Sequence, residues 1–326
     1  MLKIYWAPAL SFVVSFLLLW WAVSSLRTRM PLDTPNTRSL HSTPVPRVGG
    51  VGVLAGSGIG FFVLGFYPSL ALLAGALLLA CVSLGDDWRG IPVVWRLAAQ
   101  LCAASFVAWD MFIDYGPVAM VIATLAITWM TNLYNFMDGS DGLAGGMAMF
   151  GFSFYAIAAW SAGSSAFGMA NASIAAAAAA FLFFNFHPAR IFLGDVGSVP
   201  LGFLAAAFGI TGWLQHDWAW WFPLLVFSPF IVDASITLAR RLTSGTRVWE
   251  AHRDHYYQRL VRMGFGHRAT ALAEYALMLA CGSAALWAMT LATDAQHVLF
   301  ILMGLLYATL IAIIERAWRV RHKLNA

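Results

Sequence analysis

Residues 11–23 read SFVVSFLLLWWAV and residues 173–184 read SIAAAAAAFLFF, and neither stretch alternates apolar with polar side chains. A transmembrane β-barrel would alternate in segments of ~10 residues, so these runs are helices made for hydrocarbon. Working outward, apolar stretches of roughly 16 to 24 residues recur along the chain, near the ~20 that a helix needs to cross ~30 Å of hydrocarbon. The composition agrees: 61% of the 326 residues are hydrophobic and 10% charged, against about 25% charged in an ordinary globular chain. The expected fold class is all-α, a polytopic integral membrane protein forming one membrane-embedded domain over residues 1–326.

Hydrophobic runs set against polar breaks place helices near residues 4–26, 48–66, 69–85, 91–109, 117–134, 142–160, 167–184, 199–213, 219–239, 270–290 and 297–315. This amounts to about ten to eleven crossings. The first run follows one positive charge, Lys3, is too long for a signal-peptide core and ends at Arg27 and Arg29, so it reads as an uncleaved first helix. The run Ala175 to Ala180 reads as close helix packing by small side chains. Cys81, Cys102 and Cys281 all sit in apolar segments; they imply buried packing and neither a disulfide framework nor a metal site.

The breaks alternate in character. YPS, WDMFIDYG, SAGS, QHD and TDAQH hold no Lys or Arg, whereas every Lys or Arg except Lys3 falls in or near the other set. The positive-inside rule makes that second set cytoplasmic, with the N-terminus outside and the RAWRVRHK tail inside. The net charge of +4 is therefore a topology signal and points to no nucleic acid. Long or polar cytoplasmic segments at 27–47, 85–90, 185–198 and 240–269 are where function should lie.

Ionisable groups at membrane depth are costly and mark sites. Asp86 and Asp87 stand in SLGDDWRG, Asp138 and Asp141 in NLYNFMDGSDGLAGG, and Asp195 in FLGDVGS. All five fall at one depth on the cytoplasmic side. Carboxylates that merely solvate helix ends account for any one of these, but not for three glycine-flanked clusters. Asn135, Asp138 and Asp141 are spaced by three, so that each neighbouring pair could share a helical face. Oxygen donors without nearby His or Cys pairing suit Mg²⁺ or Mn²⁺ and argue against zinc; Mg²⁺ commonly takes one or two protein oxygens and completes its shell with phosphate and water. The implied substrate is a phosphate or diphosphate. Arg38, His41 and Arg47, then Arg253 and His255, form the cationic set that would hold it. His252, His267 and His322 read as ordinary loop residues. Asp233 lies mid-helix, either lining the same cavity or paired with a neighbouring helix.

Five ordered blocks, DTPNTRSLHSTPVPRVGG, GDDWRG, NLYNFMDGSDGLAGG, FNFHPARIFLGDVGS and HRDHYYQRLVRMGFG, resemble those of the polyprenyl-phosphate N-acetylhexosamine-1-phosphate transferases (glycosyltransferase family 4) across residues 33 to 268. That resemblance implies transfer of a sugar 1-phosphate from a UDP-sugar to undecaprenyl phosphate, with release of UMP, at the cytoplasmic face of the bacterial inner membrane. It casts Asn135 and Asp195 as magnesium ligands, Asp86 and Asp87 as the pair that handles the lipid phosphate, and Asp138 and Asp141 as lining the metal and nucleotide pocket. Asn185 and Phe192 resemble residues beside the uridine, and Arg253 and His255 the loop over the diphosphate and sugar. Homodimers occur in the family. Where a histidine-rich HxHH string is frequent, this chain has His255-Tyr256-Tyr257-Gln258. That and the short tail resemble the subgroup that starts O-antigen or other surface polysaccharides more than the phospho-MurNAc-pentapeptide transferase of peptidoglycan synthesis.

Two other classes compete. A transporter would carry its ionisable residues near mid-membrane in broken helices, where few stand here. Polyprenyl transferases and CDP-alcohol phosphotransferases also pair aspartates with Mg²⁺, but their NDxxDxxxD and DGxxAR patterns are not found.

Overall fold

A computed structural model describes residues 2–25, 30–35, 40, 43–246 and 252–324, which leaves Arg38 and His41 outside the described residues. The helices follow in order as α1 (Leu2–Ser25), α2 (Gly49–Leu64), α3 (Leu70–Arg89), α4 (Val93–Phe112), α5 (Pro117–Phe136), α6 (Leu143–Ser161) and α7 (Ser165–Asn185). There follow α8 (Asp195–Leu214), α9 (Trp221–Val226), α10 (Ser228–Thr243), α11 (Tyr256–Leu260), α12 (Gly266–Ala288) and α13 (Thr293–Leu324). Two short strands, β1 (Leu32–Asp33) and β2 (Val45–Pro46), pair antiparallel with Leu32 opposite Pro46.

Among the described residues nine helical stretches are long and apolar enough to cross a membrane, one of them running from Tyr256 through α12. Two expected crossings differ. The second, α2, has sixteen residues, which at 1.5 Å per residue spans only about 24 Å. The ninth is divided at Phe227 into α9 and α10. Pro229 has no N–H to give to the carbonyl of Leu225, which instead accepts from the Ser228 hydroxyl at 2.7 Å. The apolar run is continuous there, but the backbone ladder is not.

Small side chains let α1, α2 and α7 approach closely, as the alanine run predicts. The Ser15 hydroxyl donates to the Ala177 carbonyl across the contact at 3.1 Å, and a Cβ on Gly56 would lie 2.6 Å from the Ser11 carbonyl. The N-terminus of α2 also anchors the segment ahead of α8. Gly49 and Gly50 donate their N–H groups to the carbonyls of Phe192 and Leu193, both at 2.8 Å. One expectation fails: Cys281 is buried, but Cys81 and Cys102 are exposed on the outer face of the bundle, and all three are free. An apolar segment in a membrane protein has a lipid side as well as a packed one.

Candidate active site

The turns after α3, α5 and α7 and the segments ahead of α2 and α12 meet at one end of the bundle. The last turn of α3 carries Asp86 and Asp87, and successive helical residues point about 100° apart. Asp86 accordingly faces α4: one oxygen accepts the Ile91 N–H at 2.5 Å and the other accepts Nη1 of Arg96 at 2.7 Å. Asp87 faces α8 and accepts the Val196 N–H at 3.2 Å, so a buried carboxylate meets that helix's positive N-terminal end. Arg47, just past β2, donates Nη2 to the Asp87 carbonyl at 2.8 Å and sets Nε 3.4 Å from its carboxylate. The same Arg96 guanidinium also reaches Asp195 Oδ2 at 3.1 Å.

In NFMDGSDG the helical face expected for Asp138 and Asp141 does not form, because α5 stops at Phe136. Both aspartates belong to the turn that leads to Gly142, whose φ of +76° suits glycine. Asn135, still on α5, accepts the Ser198 hydroxyl at 2.5 Å. Asp141 accepts Nδ1 of His187 at 2.7 Å and the Ala189 N–H at 3.1 Å. The buried Asn185 takes the Gly142 N–H and gives its amide to the Ile191 carbonyl, both at 2.9 Å, stitching the two turns together.

These elements enclose a cavity of about 260 Å³ lined by Arg47, Asp87, Asn135, Asp138, Asp141 and Asp195, with Asn185 and Phe192 on its wall. A second cavity, about 390 Å³, lies against Arg96, Gln100, Asn132, His252 and His255. Asn135, Asp195 and Gln258 line both. Burial, and then the charges of Asp195, Asp87 and Asp33, push the Asp138 carboxyl well above the usual carboxylate range. Such crowding of carboxylates is relieved by a cation. Among the described residues no group of three or more His, Cys, Asp or Glu could hold a metal by itself.

Of the residues expected from sequence, Arg38 lies outside the described residues, and Asp86 and Arg253 line neither cavity. Asp86 is turned away toward Arg96. The Arg253 carbonyl accepts Nη1 of Arg262 at 3.0 Å. His255 is in the second cavity and not the first, its Nδ1 held 3.2 Å from Asp233. Asp233 also accepts the N–H groups of Tyr256 and Tyr257 at 2.9 and 3.0 Å, so it is a paired residue of α10 that seats α11. Two histidines set aside as loop residues line these cavities. His267 lines the first cavity, 2.9 Å from the Ser140 hydroxyl and stacked on His187 with ring centroids 5.4 Å apart. His252 lines the second and stacks on His255 at 5.0 Å. Arg96 was legible: it is a charge inside the apolar run 91–109, the feature that singled out the aspartates.

The bundle and its paired cavities define an integral membrane protein with a carboxylate-rich, cation-flanked cleft at one end. The model of glycosyl transferase family 4 matches residues 69–213, a stretch that includes every acidic residue of the first cavity except Asp33. The chain is 28% identical over 262 residues to a probable undecaprenyl-phosphate N-acetylglucosaminyl 1-phosphate transferase of Bacillus subtilis, covering 75% of this chain and 73% of that protein. It is 27% identical over 320 residues to the undecaprenyl-phosphate alpha-N-acetylglucosaminyl 1-phosphate transferase of Escherichia coli O157:H7, covering 89% and 85%. A decaprenyl-phosphate N-acetylglucosaminephosphotransferase of Mycobacterium tuberculosis is 28% identical over 291 residues, covering 74% and 71%. The matched stretch and these relatives support the polyprenyl-phosphate N-acetylhexosamine-1-phosphate transferase family, to which the chain is similar.

Proposed function

We propose that this protein transfers an N-acetylhexosamine 1-phosphate, or its 6-deoxy counterpart, from a UDP-sugar to undecaprenyl phosphate and releases UMP. The observation that carries this reading is the pair of cavities that share Asn135, Asp195 and Gln258. One is polar and acidic with Arg47 at its edge; the other is flanked by Arg96 and by the apolar Leu79, Val82, Val93 and Leu97. A diphosphate donor fits the first and a lipid phosphate the second, with the reacting phosphorus at the shared wall. A further apolar cavity of about 510 Å³, lined by residues of α5, α8, α9 and α10 such as Trp129, Trp213, Leu224 and Ile231, suits a polyprenyl chain.

Asn135 and Asp195 are the residues that would hold Mg²⁺, which Mn²⁺ could replace. The ion supplies charge neutralisation to the diphosphate when bound. The residues of this chain do the positioning. Arg47 faces the donor's phosphates, and Arg96, held between Asp86 and Asp195, faces the acceptor. Asp138 and Asp141 shape the nucleotide side, Asn185 and Phe192 the wall beside the uridine, and His255 the sugar side of the second cavity. A lipid phosphate is mostly dianionic near neutral pH, so its oxygen attacks the donor's β-phosphorus directly. The new P–O bond forms as the bond to the oxygen bridging to the α-phosphate breaks, and that oxygen leaves on UMP. Asp87 takes any residual proton. Trapping a labelled phosphosugar on Asp87 without lipid would instead establish a two-step route.

The His255-Tyr256-Tyr257-Gln258 string supports a role in starting O-antigen or another surface polysaccharide at the cytoplasmic face of a bacterial inner membrane. The test is UMP release by purified protein with undecaprenyl phosphate and Mg²⁺ across a panel of UDP-N-acetyl sugars, with and without EDTA. Metal-dependent UMP with a lipid diphosphosugar product is expected. No UMP from any donor, with protein shown to be folded, would overturn the reading.

A further inference from the structure

The last helix is poorly anchored along most of its length: in the apolar window of α13 only 6% of residues are buried. Its C-terminal turns are different. Glu315, Trp318 and Arg321 recur every three residues along one face, and all three engage the segment that runs from His255 to Phe265. The Glu315 carboxylate accepts Arg259 Nη1 at 2.9 Å, the Tyr256 hydroxyl at 3.1 Å and Arg240 Nη1. Trp318 lies under the guanidinium groups of Arg259 and Arg262, at 5.4 and 4.8 Å from its ring centre. Arg321 donates to the carbonyl of Met263. Arg259 is itself buried and gives Nε to the Asp254 carbonyl at 2.9 Å.

The segment gripped in this way is the one that presents His255 to the second cavity and Gln258 to both. On its other side it is held by Asp233 of α10. Glu315 therefore closes a charge network across three parts of the chain, and a buried Arg259 without its carboxylate would be driven to leave. We propose that the end of α13 is a clamp that sets the position of α11, and that Glu315 is a positioning residue for the transfer, acting through Gln258 and His255 without touching substrate.

The test uses full-length protein in detergent and two readouts. Amide exchange across 255–265 should rise about tenfold or more in Glu315→Ala and in Trp318→Ala while α5 to α8 keep wild-type protection. Glu315→Gln, which keeps an acceptor for Tyr256 but loses the charge, should fall between them and wild type. The second readout is UMP release and rests on the transferase reading. Glu315→Ala should lower kcat with little change in the donor KM, and its effect should shrink by about fivefold or more in a Gln258→Ala background. Unchanged exchange across 255–265 in both folded variants would overturn the clamp. Additive effects of Glu315→Ala and Gln258→Ala would overturn the positioning role. A wild type that releases no UMP would sink the transfer reading and leave the exchange result to decide the clamp.

Discussion

Arg96, in the first turns of α4, places Nη1 3.1 Å from Oδ2 of Asp195, the first residue of α8. The same nitrogen is 2.7 Å from Asp86, so one guanidinium joins two of the three aspartate clusters. Arg96→Ala should lower turnover by about 10²-fold, the scale of losing one preorganised donor at a developing charge. Arg96→Lys should recover little, because Nη1 alone is shared by the two carboxylates and leaves the rest of the guanidinium to face the acceptor phosphate, whereas an ammonium held by the same pair is a point charge with no second nitrogen to offer. Initial rates of UMP release, with unfolding midpoints as a control for folding, decide this. Wild-type rates in Arg96→Ala would remove it from the site.

Asn135→Ala and Asp195→Ala should each abolish most activity while leaving the protein folded. Both variants should need more Mg²⁺ than wild type for half-maximal rate, and EDTA should stop the wild type. Near wild-type turnover in either variant would sink the metal assignment.

Gly194 has φ +73°, and a Cβ there would lie 2.3 Å from the Arg47 carbonyl. Gly194→Ala should therefore destabilise by at least about 1 kcal/mol, from the left-handed backbone alone, and displace Arg47 from Asp87. Gly58, within α2 and with nothing within 4 Å of its would-be Cβ, is the matched control. Gly58→Ala should be neutral or stabilise by up to about 1 kcal/mol. Thermal unfolding in detergent compares the two; equal midpoints would contradict the crowding at Gly194.

Burial, aided by His255 and Arg241, pushes the His252 imidazole down from 6.5 to about 4, against the opposing pull of Asp254 and Asp233. Between those values the unfolded chain binds a proton that the folded chain refuses, so stability falls as pH drops from about 6.5 toward 4 and is unaffected above. His252→Gln should lose less stability than wild type across that window and match it at pH 8. Unfolding midpoints measured at steps between pH 8 and 4.5 test the difference, and parallel curves would refute it.

The membrane spans were legible in the sequence because long apolar runs have few other uses. The division between α9 and α10 was not, although Pro229 was in plain view, because hydropathy sums side chains while the break comes from a missing backbone N–H. The acidic residues of the site were legible for the reason that ionisable groups are scarce in this chain. Their division of labour was not: Asp86 and Asp87 are neighbours in sequence, and only the packing of α3 between α4 and α8 decides that one holds Arg96 and the other faces the cavity. His267 was missed because its place beside Ser140 depends on where α12 begins, which no local pattern encodes. Arg253, a charge in a promising motif, lines neither cavity, and its backbone carbonyl accepts from Arg262.

Every turn that lines the two cavities lies at one end of the bundle, so on the proposed function a charged donor would reach them from a single aqueous side. A diphosphate linked to a sugar cannot cross hydrocarbon unaided, since even one charge at the bilayer centre costs several kcal/mol. On the proposed function, the product is left with its sugar facing the compartment that supplied the nucleotide. Any use of that sugar on the opposite face then demands a second protein that turns the lipid over.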